Sequence, residues 1–539
     1  MKLNIKYIYI LSALFLCELT LAQTVTAQVK KQVQEKCLYH FDDLQRKQTW
    51  TESYNAAGLH FLDFNNSSYI EAYMGKNDGP FVKFNESDNS FNYGLRTASY
   101  TKVKKTTFFG MIDYNNFKGQ NMTWSGLIYP ERYLMLVADD RPAVKSKESY
   151  KLTGGLSLPL HENLFFGLQI NYEAAMLAKR KDLRHRTDLL DFETTAGLMY
   201  KTEMFNIGLN YYYRKFHEKV EFSKVADDDV LYTGYLLKGL WFGMIDIWNQ
   251  RELNLSRSFI DVIQGGSLQV EFVKDNFRFH NEFTYKFKDG LSGPGIDRAY
   301  TQNEGTTLEY KGIAQYELDN MRHYLKIKTN YTDAVNYDKV SNTENIGGIS
   351  TVIQYGKNKA FAKRSFDMSA EYELALGKFK CSPEWNFKAG YQYSSYSAVS
   401  SLVVPFYFTQ EVNITTGYGK VNKNFLMQKG MIDLSLMGGY SMGNGDRLKM
   451  HTAAGASNQI SDEIVPKQKV EMLKREYEYM TKGKLLGEVG FRYSKFVMKN
   501  RTAGSIYLDT KYSFTSASDL KYHTGGNAGI FSLALGYSF

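Results

Sequence analysis

The stretch FRFHNEFTYKFK (277–288) carries Arg278, His280, Glu282 and Lys286 on one parity, with Glu271 just upstream. A histidine with a carboxylate two residues away can act as a base whose ring the carboxylate holds. No serine lies in the stretch to complete a nucleophile, so these residues predict no catalytic group. The same residue types also serve electrostatics. A two-residue turn at 274–275 would place Glu271 across from Arg278, and a turn at 377–382 would bring Glu371 to Lys388. Such cross-strand pairs contribute about 0.2–1 kcal/mol each and tie up a wall. A ring of one sign would predict ion selectivity, but these charges are mixed.

Other candidates carry less. AKRKDLRHR (178–186) concentrates Lys179, Arg180, Lys181, Arg184 and Arg186, which fit either contact with lipopolysaccharide phosphates from a long external loop or a solvated loop. ADDD (226–229) lacks the glycine and spaced ligands of a calcium loop. GLSGPG (290–295) has Pro294 where a nucleophile elbow needs a free backbone, and no strand–turn–helix pattern surrounds it. No zinc or phosphate motif occurs. The expectation is therefore no catalytic residue, no metal and no cofactor.

The elements that would position these side chains repeat one pattern. In LFFGLQINYEAAM, Leu164, Phe166, Leu168, Ile170 and Tyr172 share a parity against Gln169, Asn171 and Glu173. FNIGLNYYYR repeats it, and Phe277, Phe279, Phe283, Tyr285 and Phe287 oppose the charged residues named above. Period-two alternation means half-buried strands. A soluble sandwich alternates too, but its strands run near five or six residues, whereas these run about ten, the length of a membrane-crossing strand. At membrane depth every backbone N–H and C=O must be paired, which requires a closed sheet. Lysine or arginine at the lipid midplane costs roughly 2–4 kcal/mol, so the charged parity must face inward. The fold expected is all-β: a closed antiparallel transmembrane β-barrel of about 18 strands, within roughly 16 to 20.

The marked segments, from 90–103 to 529–539 and including 232–243 and 344–356, form an odd set, whereas bacterial single-chain barrels have even strand numbers. One segment is therefore misread, or a strand near 69–75 is missing. Long loops belong outside and short turns on the periplasmic side. Counting back from a periplasmic C-terminus puts 516–528, 444–482 and 357–365 outside. The same count puts the tight turns 274–275 and 319–322 outside as well, so the strand phase slips between 319 and 365.

The remaining composition agrees with export to an outer membrane. MKLNIKYIYILSALFLCELTLAQTVTAQ reads as a secretory signal over 1–27, with an apolar run too short to span. Residues 28–60 form a mixed-charge extension, either periplasmic or tucked into the lumen as a plug, and 61–539 form the barrel. Mean hydropathy is −0.41, and no later apolar run approaches a helical span. The chain holds 41 Tyr and 35 Phe but only 8 Pro, and no Pro/Ser-rich linker divides it. Cys37 and Cys381 have no spacing that implies a disulfide. A net charge of +9 suits an anionic lipopolysaccharide leaflet, not nucleic acid, in an exported chain.

WTESYNAAGL (50–59), MTWSGLIYPERYLMLVADDRP (122–142), YKLTGGLSLPL (150–160), KDLRHR (181–186), REYEYMT (475–481) and the terminal LGYSF together resemble an uncharacterised family of Bacteroidota outer-membrane β-barrel proteins. The resemblance implies an outer-membrane location in a Gram-negative bacterium and no assigned activity. By the same analogy, the last strand, ending on Phe539, would be the signal for the barrel insertion machinery, and a TonB-dependent uptake receptor would be a partner. Three functions stay open: passage of a small solute or support of a nutrient-uptake system, a rim enzyme acting on lipids, and a scaffold with a closed lumen.

Overall fold

The computed structural model describes residues 48–539 apart from 63–65, 227–229, 231, 238, 241–242, 249–256, 295–298, 348, 378–382, 404–405, 428, 453–466 and 500–501. The signal segment 1–27, residues 28–47 with Cys37, the aspartates of ADDD and Cys381 lie outside the described residues.

Eighteen strands form one antiparallel sheet that closes on itself. The closing seam pairs Asn66–Asp78 with Asn527–Ser538, in register from Tyr69 opposite Ser538 to Asp78 opposite Gly529. Phe539 extends the seam by exchanging backbone hydrogen bonds with Ser68. Closure leaves the barrel sheet without an open edge among its described strands, as a hydrocarbon solvent requires.

The alternation sets the two faces. Phe279, Phe283, Tyr285 and Phe287 are exposed on the outside, while His280, Glu282, Thr284 and Lys286 between them are buried. The same division recurs at Ile207, Leu209 and Tyr211, and at Leu535 and Tyr537 on either side of buried Gly536 in the last strand. An aromatic and aliphatic band outside a closed polar interior is the surface a bilayer solvates. The protein is an outer-membrane barrel of a Gram-negative bacterium. No helix among the described residues is long and apolar enough to cross a membrane, so the strands do the crossing.

The strand count differs from the segment list in three places. Asn66–Asp78 is a barrel strand, which supplies the one missing near 69–75. Tyr232–Leu237 is a strand but not of the barrel: with Leu136–Asp139 and Gly243–Trp248 it forms a separate three-stranded sheet. Segment 344–356 is not a strand of its own. It is the top of one hairpin made by Met321–Ile346 and Ile349–Leu376, of 26 and 28 residues. Strands that long project well past the roughly ten residues a bilayer needs. The hairpin makes two crossings where its sequence pattern suggests three, which is the source of the phase slip, and 357–365 belongs to its second strand. With it corrected, the tight turn at 275–276 and the others like it fall at one end, and the long loops 79–88, 123–142, 224–256 and 518–526 at the other, outer end.

Candidate functional site

The lumen holds two inserts. The lower one is residues 48–62, two 3-10 turns over Thr49–Glu52 and Ala56–Phe61. The upper one is the loop 123–142, which folds inward and carries one edge of the three-stranded sheet.

The lower insert is held chiefly by carboxylates of the wall. Glu271 accepts from Thr49 Oγ1 at 2.6 Å, from Trp50 Nε1 at 2.7 Å and from Asn206 Nδ2 at 2.6 Å. Glu282 accepts from Ser53 Oγ at 3.0 Å and from the Tyr54 backbone N–H at 3.1 Å. The Tyr54 hydroxyl donates to Glu309 at 3.0 Å and accepts from Lys286 at 2.8 Å, with Lys286 also stacked over the Tyr54 ring. Glu52 pairs with Lys326 and, at 2.9 Å, with Lys328. Burial raises the Glu52 carboxyl, but these two ammonium groups overcome that and hold it at about 2. His280 sits at the centre, its ring edge-on to Trp50 with centroids 4.8 Å apart and neither ring nitrogen hydrogen-bonded. Its environment is that of a packed core histidine.

Backbone contact completes the seat. Residues 55–57 lie against Gly167 and Gly197, cross-strand partners on Leu164–Lys179 and Arg184–Lys201. A Cβ at Gly167 would stand 1.9 Å from Ala57 N, and one at Gly197 would stand 2.4 Å from Asn55 Oδ1. Only glycine lets the insert approach this closely. Asn55 is fixed in turn by Leu198 O at 2.9 Å and Gln269 Oε1 at 3.1 Å.

The upper insert is latched in the same way. Lys179 pairs with Asp139, Lys145 donates to the Ser125 carbonyl, and Thr187 to the Gly126 carbonyl. Arg132 reaches Asp191 at 3.3 Å and lies over the Phe216 ring at 4.6 Å. Beneath it Tyr133, Leu136, Val137, Val220 and Phe259 belong to the largest apolar cluster among the described residues. Helix Lys467–Thr481 comes in from the opposite wall and packs Leu473 against Phe361, Ala398 and Phe408.

Several expected placements change. The turn is Asp275–Asn276, with Asp275 in the left-handed region at φ 50°, so Lys274 stays in the ladder. Glu271 therefore faces His280, and Arg278 faces Val273. A shift of two residues keeps every side chain on its face and changes only its partner. The basic stretch is not a long external loop. Its strands run on to Lys179 and Arg184 and leave a four-residue connection, 180–183. Lys179 alternates inward and is buried, which removes it from any lipid contact. Arg180, Lys181 and Arg186 remain exposed at the outer end, Arg186 beside Asp188 and Arg184 beside Asp182. Lys388 pairs with Glu371 at 3.1 Å and with Glu373 at 2.8 Å, away from both inserts.

Residues 56–539 match a family of unknown function (DUF6850). The chain belongs to that family. No curated protein matches this DUF6850 member. Among solved structures, the outer membrane transporter YddB from Escherichia coli is similar over 89% of this chain and 81% of its own, at 7% identity and a TM-score of 0.39. The ferric preacinetobactin receptor BauA from Acinetobacter baumannii is similar over 88% and 80%, at 10% identity and a TM-score of 0.36. The toluene transporter TodX from Pseudomonas putida is similar over 90% and 91%, at 9% identity and a TM-score of 0.29. At such scores the barrel of the DUF6850 chain stands on its own closed ladder. Among its described residues, no group of three or more His, Cys, Asp or Glu is arranged to hold a metal ion.

Between these inserts and the strands Ile349–Leu376 and Trp385–Val403, the lumen keeps two cavities. A cavity of about 500 Å³ lies beside Tyr54, lined by Lys328, Asn330, Asp367, Ser369, Gln392 and Thr416 among others. A second, of about 430 Å³, lies above it where the outer loops meet helix Lys467–Thr481, and is lined by Lys363 and Tyr396. Lys363 and Asp367 are four residues apart on one strand, and Ser394 and Tyr396 are two apart on the next, so the same two strands line both spaces.

Proposed function

We propose that this DUF6850 protein is a non-enzymatic barrel that passes a small solute along the wall of Ile349–Leu376 and Trp385–Val403, with residues 48–62 as a removable lower gate. The observation that carries this is the stacking of the two cavities on those strands, beside a lower insert that wall carboxylates and lysines latch by hydrogen bonds and ion pairs. Polar contacts of this kind exchange readily for water, which a gate requires. Arg180, Lys181 and Arg186 fit phosphates of the surrounding lipopolysaccharide, and the strand ending at Phe539 fits recognition by the insertion machinery. A supporting role beside a TonB-dependent uptake receptor is compatible with the gate.

Planar-bilayer recording tests the reading. The intact chain is expected to be nearly silent, and a variant lacking residues 28–62 to give stepwise currents. A deletion variant that is folded and silent would overturn passage. It would favour a closed scaffold, which the filling of the lumen by two inserts supports.

A further inference from the structure

The outer cavity has a chemistry the passage reading does not use. Its apolar lining comes from Phe117, Met122, Leu134, Leu240 and Phe361. Lys147 and Lys363 also line it, and neither has an ion-pair partner within 4 Å among the described residues. The Lys147 ammonium stands over the rings of Phe117 and Tyr129, 5.8 Å from each, and that of Lys363 over Tyr396 at 4.8 Å. Aromatic faces hold a cation in place without neutralising it. Lys83, the remaining lysine at the rim, pairs loosely with Glu86 at 3.7 Å. Lys145 donates a hydrogen bond to the Ser125 carbonyl. The acids Glu131 and Glu476 complete the charged lining. Burial pushes the Glu476 carboxyl up to about 7 against the pull of Lys83 and Lys363, so near neutrality much of its charge is absent.

We propose that this cavity is a binding site for a small organic anion with a flat apolar body, its charged group taken by Lys147 and Lys363 and its body by Phe117, Leu134 and Phe361. The volume of about 430 Å³ falls in the range of small-molecule sites, which are mostly apolar with a few placed polar groups. Five chain parts contribute: the loops 79–88 and 123–142, residues 239–240, the helix Lys467–Thr481 and the wall. The site is therefore open only to ligands that the outer loops admit. It extends the passage reading by naming a ligand class, yet binding needs no conduction, so a silent barrel that binds would leave the site standing.

The test uses the refolded full chain in a neutral maltoside detergent, with 2-naphthoate and the uncharged 2-naphthalenemethanol as probes. Binding is measured by calorimetry against protein-free micelles. The acid is expected to bind at least tenfold more tightly than the alcohol. Lys147→Met and Lys363→Met keep the apolar stems, and each is expected to lose at least fivefold for the acid and nothing for the alcohol. Heat-modifiable gel mobility reports that the variants are folded, and if they are not, the acid-to-alcohol ratio of the unmodified chain decides. Equal binding of the two probes, no binding of either, or folded lysine variants that bind the acid unchanged would overturn the proposal.

Discussion

Trp50 donates its indole N–H to Glu271 Oε2 at 2.7 Å, joining two residues 221 positions apart. The second oxygen of the same carboxylate takes the Thr49 hydroxyl, and Asn206 shares the first. One wall side chain therefore holds the start of the lower insert. Replacing Glu271 by Ala leaves three buried donors without their acceptor, at roughly 1–3 kcal/mol each before relaxation. We expect Glu271→Ala to release residues 48–53, seen as loss of amide hydrogen-exchange protection there, while the barrel strands stay protected. Glu271→Gln keeps an acceptor oxygen and should loosen the segment less.

The glycine seat makes a separate prediction. Gly167→Val adds branched bulk where even a Cβ would stand 1.9 Å from Ala57 N, and backbone atoms cannot yield as a flexible side chain can. The insert must move out, since the wall strand is pinned by ladders on both sides. The expected outcome is a folded barrel with residues 55–57 exposed to protease and with conductance above that of the intact chain. Protection of 55–57 unchanged from the parent would refute the seat.

Acid should weaken the lower insert through Glu52. Free of its partners, this carboxyl titrates near 4.5, and beside Lys326 and Lys328 at about 2. A depressed value means its contribution is complete above 4.5 and is lost as pH falls through about 2. Opening of residues 48–62 is expected to rise over that window. Glu52→Gln should cost about 2 kcal/mol at neutral pH and remove that part of the acid dependence. Exchange measured at pH 6 and pH 3 on both proteins checks this.

What was legible from residue types was the parity of the wall. The Phe277–Phe287 row faces lipid and its Arg, His, Glu and Lys neighbours face inward, because hydrocarbon sorts side chains at every second position. Strand ends were not legible where strands continue into water, since the lipid constraint stops at the membrane surface. Hence the 321–376 hairpin resembles three strands in sequence, and Lys179 resembles a loop residue although it ends a strand. The destinations of the inserts were also hidden. Asn55 finds its partners 143 and 214 residues away, and nothing local in WTESYNAAGL encodes that distance. One local signal does mark the seat. Gly167 and Gly197 fall on the inward parity of neighbouring strands, where a wall needs no glycine unless something approaches closely.

Glu476 makes the opposite pH prediction for the outer end. Its carboxyl lines the outer cavity among Lys83, Lys145, Lys147, Lys363, Glu86 and Glu131, and makes no hydrogen bond to a described residue. Burial pushes it up to about 7, so the docked helix Lys467–Thr481 prefers the protonated form. Undocked, the group ionises near 4.5. Docking therefore has its full contribution below that value, loses it as pH rises, and has lost all of it above about 7. The change is of the order of 2 kcal/mol, given one pH unit per 1.36 kcal/mol and partial solvation of the site. Opening free energies of the Met472 and Leu473 amides, corrected for intrinsic exchange rates, should fall by that amount between pH 5 and pH 8. In Glu476→Gln they should stay level, because the amide keeps the shape and cannot ionise. A Gln variant with the same slope as the parent would place the titrating group elsewhere.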